Sequence, residues 1–200
     1  MLTLATLLIL AAAPPGEPAE QTEADEYTRY ELLDPDSGRF HILYDVSATM
    51  PGATAYYNPI RKGSEASDEA VFDRVSGKPL RFEIVDGSAA RAGGVKQAES
   101  DSRFIKVTLP RPVPKDGAVR LLIEKTYRDP KSYFRERDRV VFSRSLSVKR
   151  NAVLLPAGYE LIACNVPAQI LGEPDGRILV SFVNVGPGAA DVVIKARTLP

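Results

Sequence analysis

Beyond residue 26, no stretch of this chain sustains an apolar period of 3.6 residues, and that excludes a fold built on helices. What recurs is a run of roughly 5–9 residues with alternating or β-branched and aromatic character, closed by glycine, proline, aspartate or asparagine. Such runs cover Tyr27–Leu33, Phe40–Ser47, Thr54–Asn58, Val71–Val75 and Leu80–Val85. They continue through Phe104–Leu109, Val119–Tyr127, Arg139–Leu146, Ala152–Leu155 and Glu160–Val166, then Gln169–Leu171, Arg177–Asn184 and Asp191–Thr198. Ser76-Gly77-Lys78 reads as a hairpin turn between the fourth and fifth runs, because glycine supplies a positive φ. One helical turn is expected near Asp129–Arg137.

Alternation also assigns faces. Phe40, Ile42, Tyr44 and Val46 share one side of their run, as do Ile178, Val180 and Phe182, and Val192, Ile194 and Ala196. One packed and one wet face is the habit of antiparallel sheets. The expected fold is therefore all-β, an antiparallel β-sandwich of two packed sheets with about ten to twelve short strands and little or no helix.

The N-terminal end has a different character. Residues 1–13 are uncharged and apolar and end in Ala11-Ala12-Ala13. As a helix they would reach only ~20 Å, short of a ~30 Å hydrocarbon core, so a secretory signal peptide is expected rather than a membrane span. Residues 14–26 are rich in proline and carboxylates and read as a mobile acidic linker. Residues 27–200 are expected to form one β-sandwich domain, in the periplasm or outside the cell.

Residue scarcity removes much chemistry. His41 is the only histidine, so zinc sites that need two or three histidines are excluded within one chain. Cys164 is the only cysteine, which excludes an intrachain disulfide and a redox dithiol. No Gly-x-Ser-x-Gly elbow and no phosphate-binding loop occur. His41 reads as a surface or half-buried strand residue and Cys164 as a small buried hydrophobe. Asp68, Glu69 and Asp73 cluster in sequence but lack the spacing of a calcium loop. No catalytic residue, metal or cofactor is expected.

Charge is segregated within a chain whose formal net charge is zero, with 26 basic and 26 acidic residues. That balance argues against a nucleic-acid partner. Carboxylates crowd Glu17–Asp36, whereas bases crowd Arg128–Arg150. Arg128, Lys131, Arg135, Arg137, Arg139, Lys149 and Arg150, with Arg144 among them, form a candidate basic face for an acidic protein or an anionic envelope component. A solvated sheet edge, or an acidic leader folded back on this segment, would explain the same pattern. Tyr56 and Tyr57 offer a weaker candidate for sugar stacking, since neighbours in a strand face opposite ways. The expected function is an exported, non-catalytic binding module. The alternative is a small exported hydrolase, or an accessory domain of one.

Overall fold

The computed structural model describes residues 19–199, so the expected signal peptide and the first part of the acidic leader lie outside the described residues. Its first seven strands are β1 (Glu23–Leu32), β2 (Arg39–Ala48), β3 (Ala55–Ile60), β4 (Glu65–Asp73), β5 (Phe82–Asp86), β6 (Arg103–Thr108) and β7 (Val119–Arg128). Seven more follow: β8 (Tyr133–Glu136), β9 (Arg139–Leu146), β10 (Arg150–Leu154), β11 (Tyr159–Cys164), β12 (Gln169–Gly172), β13 (Ile178–Val183) and β14 (Ala190–Thr198). The one α-helix among the described residues is α1 (Gly87–Ala92), which the sequence reading did not anticipate. Asp86 caps it by accepting from the Ala89 amide at 2.8 Å.

The all-β reading holds, but the strands form three hydrogen-bonded sheets rather than two. The largest runs β12-β13-β10-β1-β2-β7-β4, the second β11-β14-β9-β8 and the third β3-β6-β5. β1 and β10 pair in parallel, while the other strand pairs are antiparallel. The expected hairpin after Val71 turns at Gly77, with φ +70, but only Phe72 and Pro79 bridge. The chain then leaves the large sheet, and β5 pairs with β6 instead. The helical turn expected near Asp129–Arg137 is a tight turn at Asp129–Ser132 followed by β8. Asp129 accepts from the Ser132 and Tyr133 backbone amides there, so the chain reverses instead of winding on. β1 begins at Glu23, so the ordered sheet takes in the last residues of the acidic segment.

The predicted faces are the packed ones. Phe40, Ile42, Tyr44 and Val46 are all buried, as are Val192, Ile194 and Ala196. The large sheet lays its inward face on the four-stranded sheet, where Tyr30, Phe40, Tyr127 and Phe142 interlock. Phe40 meets Phe142 edge-on at 5.6 Å and Tyr127 at 6.1 Å between ring centroids. Each such contact contributes about 0.5–1.5 kcal/mol beyond its buried area. The three-stranded sheet covers the remaining end of this core through Tyr56, Ile60, Ile105 and Val107.

Candidate functional site

The residues singled out in the sequence fall in three kinds of place. His41 is a half-buried strand residue, with Nδ1 3.3 Å from Thr126 Oγ1 and Nε2 3.7 Å from Glu124. Cys164 is partly buried against the core, with Sγ 3.3 Å from the Val166 carbonyl. Asp68 pairs with Arg39 and Asp73 accepts from Ser76, and no metal-holding group of acids, histidine or cysteine occurs among the described residues. Tyr56 and Tyr57 are both buried and pack into different clusters, so neither is a surface platform.

The basic segment does not gather into one face. β9 carries the chain about 24 Å from Arg139 to Leu146, which leaves Lys149 and Arg150 far from Arg135 and Arg137. Arg128 pairs with Glu65, Arg135 with Asp36 and Arg139 with Asp138. Arg150 donates to the Asp25 and Glu26 carbonyls and Lys149 to that of Gly186. Lys131 and Arg137 stay exposed, Arg137 at φ +61 in the β8–β9 turn. Arg144 is not on the surface at all.

A cleft of about 360 Å³ opens where the three sheets meet. β1, β2 and β7 supply Glu23, Glu26, Thr28, Tyr44 and Lys125; β3 supplies Tyr56 and Asn58; β9 and the chain after it supply Arg144, Leu146 and Val148. Its volume is that of a small-molecule site. Two local features of the sequence build its acidic mouth. β1 carries a bulge between Ala24 and Tyr27, with Asp25 at φ +53. The extra residue resets the alternation, so Glu23 and Glu26, three apart, both face the cleft. Gln21 then anchors the chain by pairing with both the amide and the carbonyl of Tyr57, at 2.8 and 3.0 Å.

At the mouth, Tyr44 donates to Glu26 Oε1 at 2.5 Å and Tyr56 donates to Glu23. Glu23 remains exposed as a residue while its carboxyl turns inward. The protein packed around that carboxyl raises its pKa, against the Tyr56 hydrogen bond, and the neighbouring Glu26 adds to the rise. Burial likewise pushes the Tyr44 and Tyr56 hydroxyls well up, so both stay protonated donors.

At the floor, Lys125 is only 5% exposed, in phase with buried Leu121, Ile123 and Tyr127. Its Nζ donates to Asn58 Oδ1 at 2.5 Å and to the Pro59 carbonyl at 3.2 Å, and lies 5.2 Å from the Tyr127 ring centroid. Burial, helped by the Arg144 charge and opposed by Glu69, pulls its pKa down to about 7. Arg144 is buried beside it, 3.1 Å from Asp129 Oδ2, with its guanidinium 5.3 Å from the Phe40 ring centroid. Burial raises the Asp129 carboxyl, but hydrogen bonds from Ser132 and Ser64 and the charge of Arg144 outweigh it and leave the pKa low.

Chemically, the cleft offers two anchored carboxylates, two tyrosine hydroxyls and an amine that holds or releases a proton near neutral pH. Sequence reasoning missed all of them except Tyr56. The signal was present for Lys125 and Arg144, since each sits at an apolar position of its own strand's alternation.

No family model matches the chain, and no curated protein matches it. Solved structures do. The M1 zinc metallopeptidase from Deinococcus radiodurans aligns over 90% of this chain with a TM-score of 0.53 and 11% identity. A two-domain M1 zinc metallopeptidase variant bound to L-tryptophan aligns over 92%, with a TM-score of 0.54 and 11% identity. An aminopeptidase N family protein from Idiomarina loihiensis aligns over 86%, at 0.50 and 11%. The matched regions are 43%, 44% and 29% of those chains, so this chain spans less than half the length of each. The likeness is one of fold: a predominantly β domain built like part of these metallopeptidases.

Proposed function

We propose that this chain is an exported, non-catalytic accessory domain that works beside a hydrolase, with the three-sheet cleft as its contact or ligand site. The observation that supports the reading most is the fold likeness, which covers 86–92% of this chain but well under half of each metallopeptidase. The part held in common is β-sheet, and the single histidine and single cysteine leave this chain without the ligands of a histidine-based zinc site. A binding role for the dispersed basic residues loses ground to the cleft, because most of them already have carboxylate or carbonyl partners. Export rests on the apolar run at residues 1–13.

The test is a hydrolysis assay on chromogenic aminoacyl anilides and a mixed peptide pool, with and without added zinc. Turnover is expected to equal the buffer blank in both, and a 1:1 complex with an exported hydrolase is expected by size-exclusion chromatography of the native envelope fraction. Turnover that survives repurification and is abolished by Lys125→Met or Glu26→Gln overturns the proposal.

A further inference from the structure

The cleft contains groups that its own side chains leave incomplete. Lys125 uses two of its three ammonium donors, on Asn58 and Pro59, and no carboxylate among the described residues pairs with it. Glu23 and Glu26 accept from tyrosines at the mouth, and no cation among the described residues pairs with either. Among the described residues, Asn151 Oδ1 is the buried side-chain acceptor without a partner. Asn151 lies in one cross-strand row with Thr28 and Tyr44; those two line the cleft, whereas Asn151 is fully buried and does not.

Opposite charges in one cleft that do not pair with each other are matched by a ligand carrying both. The strand positions that hold them give its scale. Tyr44, which holds Glu26, and Ile42, the strand partner of Lys125, are one two-residue step apart on β2. Tyr56, which donates to Glu23, and Asn58, which accepts from Lys125, are likewise two residues apart on β3. Along both strands the acid-holding and amine-holding positions are thus offset by about 7 Å of backbone, the scale of a dipeptide. We propose that the cleft binds a free zwitterionic dipeptide, its ammonium group between Glu23 and Glu26 and its carboxylate on Lys125. Leu146 and Val148, which line the cleft, offer apolar contact to a side chain. The inference names a ligand for the cleft and rests on the accessory-domain reading for that site alone: binding by the isolated chain holds or fails whether or not a hydrolase partner is found.

Calorimetric titration of the full chain with alanyl-leucine, its N-acetyl derivative and its C-terminal amide tests it. Saturable 1:1 binding of alanyl-leucine is expected, with each blocked analogue at least about tenfold weaker, the size of one lost charged hydrogen bond. Lys125→Met is expected to lose the preference for the free carboxylate while keeping that for the free amine. Absent saturable binding of alanyl-leucine, or equal binding of the blocked analogues, the inference falls. Both of those readouts use the unaltered protein, so they stand even where a variant fails to fold.

Discussion

The Nζ of Lys125, on the inward face of β7, donates to Oδ1 of Asn58 on the edge strand β3 at 2.5 Å. This bond ties the large sheet to the small one and holds an amine at the floor of the cleft without a carboxylate to balance it. A lysine so placed opposes folding while it is charged. Replacing it with methionine, of similar length, should therefore raise stability by about 1–3 kcal/mol at pH 7, measured by urea denaturation. A loss of stability would mean that the lysine is a structural strut.

The same amine predicts a pH trend. Its folded pKa of about 7 lies below the ordinary 10.5, so between those values the unfolded chain binds one more proton than the folded one. Stability should rise with pH through that window, by about 1.4 kcal/mol per unit from this group. The slope should be clearest from pH 7 to 9, below the range where tyrosines ionise, and should vanish in Lys125→Met. Urea midpoints read across pH in both proteins check it.

Arg144 and Asp129 form a buried pair at 3.1 Å, with side chains 5% and 8% exposed. Removing one partner leaves the other charge buried, so Asp129→Asn or Arg144→Ala should destabilise by about 3–5 kcal/mol. The Asp129 carboxyl has a depressed pKa, so its contribution is present above the ordinary value near 3.8 and is lost as pH falls through its lower folded value. Thermal melts of both variants at pH 7 and of the unaltered protein below pH 4 test this.

Gly94 adopts φ +104, and a Cβ there would stand 2.3 Å from the Ala19 carbonyl oxygen. Gly94→Ala should push residues 19–22 off the surface and break the bond from the Gln21 amide to the Gly94 carbonyl. Glu23 then loses its placement at the mouth. The expected reading is faster amide exchange at Gln21 and Thr22 with a modest loss of global stability.

Strand positions and faces were legible because alternation is local: Phe40, Ile42, Tyr44 and Val46 announce a buried face by themselves. The partition into three sheets was not, because it depends on long-range pairing. The parallel contact of β1 with β10 joins Tyr27 to Arg150, and β5 leaves its sequence neighbour β4 for β6. In the basic segment, charge counted along the chain did not say which way each base points. Val140, Phe142, Arg144 and Leu146 share a phase, which sends Arg144 inward, whereas Arg139 opens β9 and Arg150, beyond its far end, opens β10. The mouth of the cleft was hidden for another reason: the bulge at Asp25 that brings Glu23 and Glu26 to one side leaves no mark in the apolar pattern.

As proposed, this domain holds a ligand in its cleft and leaves it uncut. One titration of isotope-labelled protein with alanyl-leucine, followed by nuclear magnetic resonance, reads both halves at once. Saturable shifts are expected at Thr28, Tyr44 and Lys125, with the dipeptide intact after prolonged incubation. Free alanine and leucine accumulating in the tube, or shifts confined to residues outside the cleft, would contradict it.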